Sequence, residues 1–113
     1  MVGAPLLPQE GRFHLDLFRP ANWPRAKGRR PALVVSNDLF NKHTGLAIVC
    51  PITNTDRGFP FHLPIPAASP LTGFVMVEQL KSADFSKRRA KFIHRAPPEF
   101  LEDVLDMIDV CIR

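Results

Sequence analysis

Apolar residues in this chain come in short runs broken by proline, glycine and small polar residues, a rhythm that predicts strands and turns over most of its length. Residues 1–10 form an irregular lead-in with Pro5 and Pro8. Arg12 to Phe18 alternates imperfectly, with Phe13, Leu15 and Leu17 on one face of a first strand. A loop from Arg19 to Arg30, punctuated by Pro20, Pro24 and Gly28, leads to a wholly apolar strand over Ala32 to Ser36. Ser36-Asn37-Asp38 reads as a turn, Asn41 to Gly45 as a second turn, and Leu46 to Ile52 as a β-branched strand. Thr53 to Phe59 is a polar loop. Phe61 to Ile65 is a strand limited by Pro60, Pro64 and Pro66, and so is placed at an edge or ends early. Ala67 to Gly73 is a further loop, and Phe74 to Val77 a strand. Glu78 to Ser82 is either a short helical turn or an extended link, and Lys91 to Arg95 closes the sheet.

The last segment changes period. Pro97-Pro98-Glu99 places proline and an acid at a helix start. Leu101, Val104, Leu105, Ile108, Cys111 and Ile112 then recur at helical spacing, with Glu102, Asp103, Asp106 and Asp109 opposite. The pattern predicts one amphipathic helix over 97–113 packed on a mainly β domain spanning 1–113. Short strands with turns every 8–12 residues predict a strongly bent sheet or small barrel.

Composition sharpens this picture. With 113 residues the chain can build one core, and twelve prolines argue against a helical bundle. The net charge of +4 hides an asymmetry: residues 1–97 carry 14 cations against 6 acids, while 98–113 carry Arg113 against five acids. A basic body of this kind suits a polyanion or an acidic partner. Cys50 and Cys111 both lie in apolar runs and are expected as buried free thiols. No run is long enough to span a bilayer and the N-terminus lacks a signal-peptide pattern, so the expectation is a cytoplasmic protein with no membrane partner.

The densest chemistry lies where the cationic loop meets the second strand. Arg19, Arg25, Lys27, Arg29 and Arg30 fall in a stretch without an acid, and Arg30-Pro31 opens the strand. Guanidinium pairs bidentately with phosphate, so a rigid strand starting here can grip one; the alternative is a solvated basic loop capping a strand. A second run, Lys87, Arg88, Arg89, Lys91 and Arg95, suits phosphate contacts or a charged edge strand that blocks aggregation. Trp23 and Phe40 lie in loops where an aromatic can stack on an unpaired base or fold back onto the sheet. His14, His43, His62 and His94 show no metal-ligand spacing, so neither metal nor other cofactor is expected. His62 is a candidate base if it reaches a groove.

Taken in order, Gly28-x-Arg30-Pro31-Ala32-Leu33-Val34-Val35-Ser36, Asn41-x-x-Thr44-Gly45-Leu46, Pro51-Ile52-Thr53, Gly58-Phe59-Pro60-Phe61, Glu78-Gln79-Leu80-Lys81-Ser82 and Pro98-Glu99-x-Leu101 resemble the MazF/PemK/Kid family of bacterial toxins. The resemblance runs from about Gly11 to Ile112. It implies an SH3-like barrel with a C-terminal helix, shared with the PemK and CcdB plasmid-maintenance toxins, and a homodimer. It also implies a cognate MazE-like antitoxin that binds DNA together with the toxin. The implied activity is metal-independent cleavage of single-stranded RNA, leaving a 2′,3′-cyclic phosphate and a 5′-hydroxyl.

The same resemblance makes Arg30 and Thr53 the catalytic pair, against a structural salt bridge and a turn cap as their alternatives. Arg25, Lys27, Arg29, Asn41, Thr55, Arg57, Gln79, Lys81 and Arg89 are the expected RNA contacts, with loops 19–30 and 53–59 flanking the groove. The chain departs from the family at two places. Arg25 stands where some members carry a glutamate proposed as base, so another base or water must serve. Asp16 is displaced by one position, which on a strand means the opposite face. A CcdB-like toxin that binds a protein, or a catalytically weak RNA-binding member, stands as the alternative. The antitoxin is expected to be acidic and partly disordered, folding over the basic groove.

Overall fold

A computed structural model describes residues 8–15, 30–85 and 91–113. Expectations resting on Asp16, Trp23, Arg25, Lys27, Arg29 and Lys87 to Arg89 lie outside the described residues. The elements are β1 (Arg12–Leu15), β2 (Pro31–Val34), α1 (Asp38–Thr44), β3 (Leu46–Thr53), β4 (His62–Pro64), β5 (Phe74–Met76), a 3₁₀ turn (Val77–Gln79), β6 (Lys81–Asp84), β7 (Lys91–Arg95) and α2 (Pro98–Ile112). Among the described residues every strand pair is antiparallel, in the order β4-β5-β3-β2-β1-β7, with β6 also on β3. The mainly β reading with a C-terminal helix therefore stands.

The bend of the sheet is built into β3. One edge pairs with β2, from Val34↔Val49 to Ala32↔Pro51. The other edge serves β6 over Leu46 to Val49 and β5 at Ile52 and Thr53. The handover falls at Cys50-Pro51, where proline has no N–H with which to sustain ladders on both edges. The core follows from strand alternation. Phe13, Leu33, Val35, Cys50, Ile52, Val75 and Val77 pack with Phe100 and Val104 of α2 on one face. Ala32, Val34, Ala47, Val49 and Ala83 form a second buried layer on the other. Both faces of β2 are therefore buried, which explains its unbroken apolar run.

Five expectations are corrected. Asn41 to Gly45 is the latter part of α1 rather than a separate turn. Asn37 caps that helix by accepting from Phe40 N at 2.8 Å, and Gly45 ends it at φ 72°, a left-handed cap that favours glycine. Ser36-Asn37-Asp38 was a helix start. Asn41 is fully buried rather than an RNA contact: its Nδ2 donates to Pro8 O at 3.0 Å and Ser36 O at 3.3 Å, and its Oδ1 accepts from Ser36 Oγ. Ser36 Oγ in turn accepts from Ile48 N at 2.8 Å, so one amide ties the lead-in, β2, α1 and β3 together. Lys81 to Asp84 forms a strand that the sequence pattern did not separate from its neighbours. Cys50 is buried but Cys111 is exposed, as are Val110 and Ile112, because the final turn of α2 runs past the core. Both cysteines are free. Among the described residues no helix is long and apolar enough to cross a membrane.

Candidate functional site

The β2–β3 pairing runs from Val34↔Val49 through Leu33↔Cys50 to Ala32↔Pro51. Projected one and two steps further along the same register, Pro31 falls against Ile52, and Arg30, just before β2, falls against Thr53. Residues directly opposite in an antiparallel pair share a face, and alternate residues on one strand do too. Arg30 and Thr53 therefore lie on the face of Ala32, Val34 and Val49, away from the core beneath α2. His14, opposite Ala32, and Lys81, opposite Val49, belong to the same face. So do Phe74, opposite Thr53, and through it Met76 and His62 of the β5–β4 pair. The second layer is thus a floor of small side chains, with a guanidinium, a hydroxyl and an ammonium set around it.

Burial of Arg30 pushes its guanidinium pKa down from the ordinary value, yet arginine starts so high that it stays charged. A partly desolvated cation attracts phosphate more strongly than one in bulk water. Thr53 is half-buried at the end of β3. Its Oγ1 accepts from Thr55 N at 3.2 Å, leaving the hydroxyl proton to donate elsewhere. The loop that follows is braced from within, where Gly58 N donates to Asp56 Oδ1 at 3.0 Å, and from the 67–73 loop, where Thr72 Oγ1 donates to Asn54 Oδ1 at 3.0 Å. Thr55 and Arg57 are exposed on this loop, Gln79 is exposed on the 3₁₀ turn, and Lys81 is half-buried on β6. An apolar hollow of about 160 Å³ between α2 and the sheet, lined by Val35, Ile48, Leu80 and Leu105 among others, lies on the other face and holds none of these groups.

Comparison with known proteins identifies the family and the fold. Residues 13–112 match the family model for the PemK-like, MazF-like toxin of type II toxin–antitoxin systems. The chain belongs to this toxin family. The endoribonuclease toxin ChpB of Escherichia coli (strain K12) is 37% identical over 102 residues, covering 86% of this chain and 87% of ChpB. The endoribonuclease toxin MazF of the same strain is 30% identical over 95 residues, covering 84% and 85%. The crystal structure of MazF from Deinococcus radiodurans superposes with a TM-score of 0.82 at 33% identity, covering 95% of this chain and 97% of that one.

Two histidines of this MazF-like chain have roles that the sequence did not reveal. His62 is not an available base. Its side chain is 3% exposed, and Nε2 lies 2.7 Å from Glu78 Oε2. His14 is 1% exposed, and neither ring nitrogen has a hydrogen-bond partner among the described residues. Burial, and then the nearby Arg12 charge, lower its pKa to about 4. The unfolded chain takes up this proton near pH 6.5 and the folded chain near 4, so folding weakens as pH falls through that window and levels off below it. Urea titrations between pH 7.5 and 4 are expected to show a loss of roughly 3 kcal/mol from this group, absent in His14→Phe. Equal pH slopes in the two proteins would refute it.

Proposed function

We propose that this chain is the toxin of a type II toxin–antitoxin pair and an endoribonuclease that cuts single-stranded RNA through attack of a ribose 2′-hydroxyl on the neighbouring phosphate. The observation that carries the reading is the Ala32↔Pro51 register, which, projected two steps to Arg30 and Thr53, brings both residues to the sheet face opposite the core beneath α2. A bond forms between the 2′-oxygen and phosphorus as the bond to the 5′-oxygen breaks. The 2′-hydroxyl proton passes to water, and the leaving oxygen gains one. Negative charge grows on the phosphoryl oxygens, where the Arg30 fork stabilises it. The Thr53 hydroxyl donates to the same phosphate and fixes it against β3. Arg57, Gln79 and Lys81 line the approaches as backbone or base contacts, and the same role is assigned to Arg25, Lys27, Arg29 and Arg89.

The relatives named as endoribonucleases support this reading, and MazE–MazF crystal structures from Deinococcus radiodurans support a cognate antitoxin. The toxin acts as a homodimer in the cytoplasm, and its antitoxin presents acidic groups to the basic face. The test is incubation of purified protein with a long single-stranded RNA in EDTA, followed by typing of the new ends. Discrete cuts bearing a 2′,3′-cyclic phosphate and a 5′-hydroxyl are expected. Intact RNA, or 3′-hydroxyl ends, would refute the mechanism.

A further inference from the structure

A carboxylate beside a phosphate-binding face is costly, because it repels the ligand it overlooks. Glu78 is such a group, and it is held there. His62 Nε2 meets its Oε2 at 2.7 Å, while its side chain remains 30% exposed. The Nδ1 of His62 is buried without a partner among the described residues, so a proton there would be an unsatisfied donor. The imidazole therefore keeps its proton on Nε2 and donates to Glu78, leaving Oε1 as the outward acceptor. Phe59 completes the corner: its ring lies 5.2 Å from that of His62, tilted by 57°, and it is 52% exposed. The backbone N of His62 also donates to Phe59 O at 3.1 Å, tying the end of the Thr53–Phe59 loop to the same residue. By strand spacing, His62 is two strands and two residues from Thr53, roughly 12 Å away on the same face.

We infer that Glu78, oriented by His62 and flanked by Phe59, reads a base that carries its amino group at purine C6 or pyrimidine C4, adenine or cytosine, one or two nucleotides from the scissile phosphate. An exposed aromatic offers a stacking surface to any base, and a fixed carboxylate acceptor selects those that donate. Uracil and guanine present a carbonyl oxygen at that position and are repelled there. Glu78 is thus a specificity-determining residue and His62 a positioning residue. The inference rests on the ribonuclease reading above.

The experiment maps cut ends in an RNA with a randomised single-stranded region, in EDTA, for wild type, Glu78→Gln and His62→Phe. Wild type is expected to favour adenine or cytosine over uracil at one fixed position by about tenfold or more. In Glu78→Gln the His62 N–H still claims the amide oxygen, which turns the NH₂ outward, so preference at that position moves to uracil or guanine. His62→Phe frees the carboxylate and flattens the preference there, with preferences at other positions kept; thermal melts confirm its fold, and if it fails to fold the Gln variant decides. An unchanged map in Glu78→Gln, or uracil tolerated equally by wild type, overturns the inference and leaves the nuclease standing. Failure of wild type to cut overturns both.

Discussion

Arg30→Ala is expected to cut RNA roughly 10²–10³-fold more slowly than wild type while melting within a few degrees of it. The side chain stands at the open end of β2, so its loss removes little from the core. What disappears is a partly desolvated cation at the point where, on the proposed mechanism, charge develops on phosphorus. Arg30→Lys separates charge from geometry. An ammonium keeps the charge but not the planar two-pronged donor, and should recover only part of the rate. Initial rates on a short labelled oligonucleotide, at saturating protein, give the comparison. Because binding also draws on the other cations, the deficit should persist at saturation. An alanine variant within threefold of wild type would remove Arg30 from the chemistry.

The sheet and terminal helix were legible because their signals are local: proline-bounded apolar runs for strands, and one change of period for α2. Arg30 stood out for the same reason, where a cationic loop meets a strand, whereas Thr53 was singled out only by the family resemblance. What the pattern hid depends on partners distant in sequence. Asn41 looks like a turn residue until Pro8, Ser36 and Ile48 are brought around it. Seven residues from Asp38 to Thr44 read as punctuation because Asn37 and Gly45, signals for turns, serve as helix caps here. His62 and Glu78 are sixteen residues apart and meet only because β4 folds back on β5. Cys111 continues the apolar stripe of α2, but the core beneath ends a turn earlier, near Ile108.

Gly73→Ala should do more damage than any helix-cap glycine change, and it should reach the chemistry. Gly73 holds φ 117°, and a Cβ there would lie 2.5 Å from the Thr53 carbonyl oxygen and 3.0 Å from Asn54 Oδ1. The first contact is to backbone, which cannot swing aside as a flexible side chain can. Relief requires β5 to withdraw from β3 at the Thr53↔Phe74 pair, displacing the proposed catalytic hydroxyl. The expected cost is of order 3 kcal/mol, combining backbone strain with the clash. Gly45→Ala is the control: its φ is 72°, but nothing lies within 4 Å of the added carbon, so about 1 kcal/mol is expected. Melting curves measure the first difference. Single-turnover cleavage at a temperature where both variants are folded measures the second, with Gly73→Ala slow and Gly45→Ala near wild type. The two deficits in Gly73→Ala must appear together, because one carbon against one carbonyl causes both. A Gly73→Ala protein that loses stability yet cleaves normally would show that Thr53 tolerates the shift, and would argue against a hydroxyl fixed at this sheet corner as part of the reaction.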